Sequence, residues 1–198
     1  MNNNPGTPIT ELDSVEGKKG GKVLLTIHFV KAEMMLAFLR DHNDSQSVIN
    51  IFERIYQELR PDRFMNLFRI CLADNGPEFS NPKAIEFDLQ GNRRTQLFYC
   101  DPSAPYQKGS AERNHEFIRY FIPKGTDLSS FSQADISLMM DHINSYGRGS
   151  LGDKCPYDMF SFLYGEEMLD LLECHKIPPK NVTLNKSIFR KEAGHDAR

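Results

Sequence analysis

Apolar residues along the chain keep two different rhythms, and their order lays out the secondary structure. Ile9, Leu12 and Val15 mark a short first strand, and the polar, glycine-rich run Glu16-Gly17-Lys18-Lys19-Gly20-Gly21-Lys22 suits a hairpin turn. Lys22 to Val30 (KVLLTIHFV) is nearly continuous in Val, Leu, Ile and Phe, the texture of a strand buried on both faces, and Met34 to Leu39 gives a third run. These three read as a meander. Asp44 then stands where a helix cap belongs. Val48, Ile51, Phe52, Ile55 and Leu59 follow the i, i+3, i+4, i+7 stripe of an amphipathic helix that stops before Pro61.

Phe68 to Ala73 reads as a fourth strand, ended by the abrupt turn Asp74-Asn75-Gly76-Pro77. The turn leaves a carboxylate at the strand's carboxyl end, where ligands gather in open sheets that contain parallel strands. Ser80 or Asn81 before Pro82 starts a helix. Gln96 to Cys100 is a short fifth strand, followed by a loop from Asp101 to Gly109. In the next helix Glu112, His115, Glu116 and Arg119 share one side, opposite Phe117, Ile118 and Phe121. One face packs while the other presents acid, imidazole and guanidinium groups. Pro123-Lys124-Gly125 closes it, and Ile136, Met139, Met140 and Ile143 mark another amphipathic helix up to Gly147. The whole order predicts an α/β layered domain.

Composition narrows the class. With 198 residues, 39% of them hydrophobic, the chain can bury one sizeable core. No apolar run approaches the length of a membrane span and no signal peptide opens the chain, so a soluble cytoplasmic domain is expected. Cys71, Cys100, Cys155 and Cys174 are widely spaced, without a C-x-x-C pair, and are expected as core residues rather than a zinc ribbon or disulfide frame. His28, inside an apolar strand, is expected to be a hydrogen-bonded core histidine. The pairs Gly17-Lys18 and Gly21-Lys22 lack the spacing and the following Ser or Thr of a P-loop. Residues 1–8 and 191–198 read as loose tails.

Asp13 in an early strand, Asp74 after a later one and Glu112 on a helix are the candidate chemistry, an arrangement that a two-metal phosphoryl-transfer site would need. Each has a plainer reading: an exposed strand residue, a turn residue before Gly76, a first-turn acid stabilised by the helix dipole. The formal charge of −3 is unlike the basic footprint of a nucleic-acid enzyme, but the three acids account for all of it. Positive charge gathers locally in Lys18, Lys19 and Lys22, in Arg93-Arg94, and in Lys108, Arg113, Arg119 and Lys124.

Three blocks carry a resemblance. Glu11-Leu12-Asp13-Ser14-Val15 with Leu24-Leu25-Thr26, Ala73-Asp74-Asn75-Gly76-Pro77-Glu78-Phe79, and Gln107-Lys108-Gly109-Ser110-Ala111-Glu112-Arg113-Asn114-His115-Glu116 through Pro123-Lys124-Gly125 resemble the acidic blocks of the insertion-sequence-30 family of DDE transposases. Leu151-Gly152, Pro156-Tyr157 and Phe160 resemble that family's closing segment. The chain departs from the pattern in having no Trp at the first block, and in carrying Phe29-Val30-Lys31-Ala32 where the family has Glu-Arg-x-Ser/Thr.

The resemblance implies a ribonuclease-H-like fold of the retroviral-integrase type, a mixed five-stranded sheet flanked by helices. It implies a catalytic core over residues 9–147, with a helical extension at 148–190 packed on it. It implies Asp13, Asp74 and Glu112 as catalytic ligands of two Mg²⁺ or Mn²⁺ ions, with Asp13 bridging both, and Asn75, His115 and Glu116 as residues behind them. Lys18, Lys19, Lys108, Arg113, Arg119 and Lys124 would meet nucleic acid. The expected reaction is hydrolysis of DNA at transposon ends and joining of the 3′ hydroxyl to target DNA. It would be carried out near the nucleoid by a homodimer or larger assembly, with no membrane and no small-molecule cofactor. The alternatives are a nuclease of the same fold that does not join strands, and an inactive DNA-binding or oligomerisation domain. Members of the family also carry an end-binding helix-turn-helix region, which nothing before Asp13 supplies, so a catalytic-core fragment or truncated copy is expected.

Overall fold

The computed structural model describes residues 7–101 and 109–189, with no side chain described from 109 to 113. Three strands form the predicted meander: β1 (Ile9–Glu16), β2 (Val23–Phe29) and β3 (Met34–Arg40), each antiparallel to the next. Two more, β4 (Ile70–Ala73) and β5 (Gln96–Tyr99), add in parallel on the other side of β1, so the sheet order is β3-β2-β1-β4-β5. This is a mixed five-stranded sheet, as expected. All seven residues of β2 are buried, as its unbroken apolar texture requires.

Alternation along the strands splits the core in two. Leu12, Leu25, Ile27, Phe29 and Leu36 face one layer, built from α1 (Ser45–Leu59), α2 (Pro61–Leu67), α3 (Pro82–Glu86), α6 (Pro156–Tyr164) and α7 (Glu166–Leu171). Val15, Leu24, Met35 and Ala37 face the other, built from α4 (Gly109–Phe121) and α5 (Gln133–Asn144). Asp44 caps α1, accepting the Ser47 N–H at 2.8 Å, and Asn81 caps α3 through the Ala84 N–H at 3.3 Å.

The outer edge of β3 would present unpaired backbone groups. Two amides of α5 cover it: Gln133 accepts from the Leu39 N–H (2.8 Å) and donates to the Ala37 carbonyl (3.0 Å), while Asn144 accepts from Met35 N–H (3.1 Å) and donates to its carbonyl (2.8 Å). An edge covered this way offers few free groups to a further strand.

Two expectations change. Pro61 does not simply end a helix: Arg60 takes a positive φ of 64° and Pro61 opens α2 at its first position, where its missing N–H costs nothing. Arg94 does not belong to a surface patch. It is 2% exposed, pairs with Glu53 at 2.8 Å and donates to the carbonyls of Ala84 and Ile85. Of the expected tails, residues 1–6 and 191–198 lie outside the described residues.

Candidate active site

The candidate site lies where the middle of β1 runs past the carboxyl end of β4. These strands run parallel, with Ile9 opposite Ile70, Thr10 opposite Cys71 and Glu11 opposite Leu72. Carrying that offset two residues on sets Asp13 in the row of Asp74, one step past the end of β4. Two acids far apart in sequence thus come to neighbouring strands, Asp13 within β1 and Asp74 just past the end of β4, because the crossover from β3 to β4, through α1 and α2, returns the chain beside β1.

Asp13 is half-buried and accepts the N–H of Ser14 at 2.8 Å. It pairs across the ladder with Thr26, whose hydroxyl donates to the Asp13 carbonyl at 3.2 Å. The same hydroxyl lies 3.0 Å from His115 Nε2 on α4. With the hydroxyl proton committed to the carbonyl, the imidazole is the donor. His115 therefore docks α4 over the strand pair that carries Asp13, and Glu112 lies one helical turn before it. The Glu112 side chain, Arg113 and Lys108 fall outside the described side chains.

Asp74 is exposed at the tip of its turn and accepts the Gly76 N–H at 3.0 Å, an Asx turn that orients the carboxylate. Behind it, Cys100 N–H donates to the Ala73 carbonyl at 2.8 Å and Tyr99 donates to the carbonyl of fully buried Phe79, so β5 clamps both sides of the turn. Asn75 is exposed beside Asp74. Among the described residues no group of three or more His, Cys, Asp or Glu side chains gathers closely enough to hold a metal ion.

The expected nucleic-acid contacts separate into two kinds. Lys18, Lys19 and Lys124 are exposed, and the Lys18 N–H donates to the Thr126 carbonyl at 2.9 Å, tying the β1–β2 hairpin to the loop after α4. Arg119 is engaged internally: it donates to the carbonyls of Glu16 (3.2 Å) and Ile122 (3.5 Å), and burial lowers its pKa. Glu116 is exposed on the outer side of α4. Thr26, which joins Asp13 to His115, stands in the first resembling block but was given no role there; a lone Thr inside an apolar strand does not announce such a contact.

Comparison with known proteins agrees with this architecture. No family model matches the chain. It is 31% identical over 74 residues to the transposase of insertion sequence element IS1086 from Cupriavidus metallidurans, a match covering 37% of this chain and 22% of that protein. Against the InsI transposase of IS30A from Escherichia coli K12 it is 27% identical over 153 residues, 75% of this chain and 37% of the relative. It therefore spans less than half the length of these curated relatives. The crystal structure of the BIV integrase catalytic core domain superposes with a TM-score of 0.51 at 17% identity, covering 82% of this chain and 96% of that domain. The chain is thus similar in sequence to insertion-sequence transposases, IS30 among them, and has the ribonuclease-H-like fold of retroviral integrase catalytic cores.

Proposed function

We propose that the chain is the catalytic core of a DNA transposase, which hydrolyses DNA at transposon ends and joins the freed 3′ hydroxyl to target DNA. The observation that supports this reading is the placement of Asp13, within β1, beside Asp74, just past the end of the parallel strand β4, with the helix of Glu112 docked on the neighbouring strand β2 through His115 and Thr26. The donor set fits a hard divalent cation: Asp13, Asp74 and Glu112 offer carboxylate oxygens, as Mg²⁺ or Mn²⁺ prefers, and no thiolate stands among them. Asp13 would hold both of two ions, and Asp74 and Glu112 one each. Bound there, such ions supply an activated water and relief of charge on the phosphorus oxygens.

The chain's own residues do the positioning. The Asx turn fixes the direction of Asp74, and the Thr26–His115 contact fixes how α4 sits against Asp13. Lys18, Lys19 and Lys124 meet the phosphate backbone, an interaction that weakens with salt. DNA is the partner, paired transposon ends call for a dimer or larger assembly, and the work is done in the cytoplasm at the nucleoid. Among the described residues no helix is long and apolar enough to cross a membrane.

The test is a cleavage and strand-joining assay on labelled duplexes that carry candidate terminal repeats, with Mg²⁺ or Mn²⁺. Wild type is expected to nick and join; Asp13→Asn, Asp74→Asn and Glu112→Gln should each lose about a hundredfold or more. Cleavage without joining would make the domain a nuclease. Folded wild type with no metal-dependent cleavage would overturn the proposal.

A further inference from the structure

A cleft at the other end of the sheet holds positive charge that the candidate site leaves unused. It opens at the amino ends of β4 and β5, between α2 and the residues leading into β5, with a volume of about 820 Å³. Ile70 pairs with Gln96 there, and Asp74 stands farther along the same strand direction, about 13 Å away at strand spacing. The cleft is therefore separate from the candidate acids.

Two guanidinium groups line it, and the fold uses up neither. Arg69 is exposed, and among the described residues no hydrogen bond, ion pair or ring contact ties its side chain down. Arg93 is exposed too. Its guanidinium lies 5.0 Å from the centre of the Phe87 ring and its Nη2 is 3.9 Å from Glu86 Oε2, at the outer limit of an ion pair, while the other Glu86 oxygen accepts the Leu97 N–H at 2.9 Å. Stacking on a ring orients a guanidinium without consuming its N–H donors. Arg94 also lines the cleft, but each of its nitrogens already has a partner, Glu53 or the carbonyls of Ala84 and Ile85. Exposed Asn66 and Gln96 add amide donors beside the two cations. Among the described residues Asp62 is the only acid in the lining, and it makes no ion pair with Arg69 or Arg93. In a chain of net charge −3, two such cations facing one cleft are a local exception. No imidazole or thiol lines it among the described residues, so its chemistry is binding rather than catalysis.

A guanidinium presents a planar fork of donors that matches the oxygens of a phosphate. From this arrangement we infer that Arg69 and Arg93, flanked by Asn66 and Gln96, bind phosphate in the cleft, supplied by a nucleic-acid backbone or by free phosphate. The inference stands apart from the proposed function, because binding here needs neither the candidate acids nor a divalent ion.

Fluorescence anisotropy of a labelled DNA duplex without terminal repeats, recorded in EDTA over a range of salt, tests this beside calorimetric titration with inorganic phosphate. Each phosphate neutralised steepens the fall of log affinity with log salt by about 0.9, so Arg69→Ala combined with Arg93→Ala should make the slope shallower by about two. The double variant should also bind the duplex at least about tenfold more weakly at the lowest salt. If wild type binds inorganic phosphate but not duplex, and the double variant loses that binding, the site stands with free phosphate as its ligand. A folded double variant that keeps the wild-type slope and phosphate affinity would overturn the inference, as would a wild type that binds neither probe. Should the double variant fail to melt cooperatively, Arg69→Glu decides, since that side chain holds nothing else in place: wild-type affinity for both probes there overturns the inference.

Discussion

Charged and polar residues that look alike in the sequence meet opposite fates in the fold. Asp74 stays exposed on its turn, whereas Arg94, read beside Arg93 as surface charge, is buried over the rings of Tyr56 and Phe64 and paired with Glu53. Nothing local distinguishes them; long-range packing of α1 and α3 around the Arg94 side chain does. His142 shows how such burial becomes measurable. Its Nδ1 accepts the Thr183 N–H at 3.1 Å, which needs an unprotonated nitrogen, and burial lowers its pKa below the ordinary 6.5. The unfolded chain then takes up the proton first as pH falls, so stability is lost as pH drops below about 6.5 and on through the folded-state value. Neighbouring Asp141 acts in the opposite sense, since burial raises its pKa against the pull of His175. Comparing His142→Asn with wild type isolates the first effect: the variant's melting temperature should fall less between pH 7 and pH 5. An identical slope would show that His142 does not carry it. The candidate acids stood out in the sequence because turn chemistry, spacing and the family resemblance mark them.

The strands and the longer helices followed from periodicity, since an unbroken apolar run or an i, i+3, i+4 stripe survives in any tertiary setting. Capping signals at Asp44 and Asn81 placed helix starts correctly. The missed helix, α2, depends on Arg60 adopting a left-handed φ before Pro61, a choice the residue type does not announce. The later helices complete the core rather than lying upon it. Phe160 of α6 is fully buried and packs on Phe29 of β2 with ring centroids 5.2 Å apart, and Met168 and Leu169 of α7 join the same cluster. Phe160→Ala should therefore cost about 3–5 kcal/mol in urea denaturation, from lost burial and the cavity left behind. A cost below about 1 kcal/mol would mean that α6 is not integral to the fold, since surface substitutions stay near ±0.5 kcal/mol.

At the scale of the molecule, one device brings the candidate acids together: a sheet whose direction changes at β1. The antiparallel meander brings Thr26 beside Asp13, and the parallel addition of β4 brings Asp74 to the same end. The order of elements made the α/β class legible, but composition and periodicity do not state which strands are neighbours. The side-by-side placement of Asp13 and Asp74 came from the resemblance and from the register seen in the structure. Under the proposed function, that placement would reconcile a net charge of −3 with a DNA substrate, since Asp13 and Asp74 lie side by side while Lys18, Lys19 and Lys124 are exposed. The most direct test is a crystal structure of this chain soaked in Mn²⁺, read by anomalous scattering. Peaks within coordination distance of both the Asp13 and the Asp74 carboxylates are predicted, with Glu112 completing the set. Peaks elsewhere, or Asp13 and Asp74 carboxylates turned apart with no manganese between them, would contradict the account.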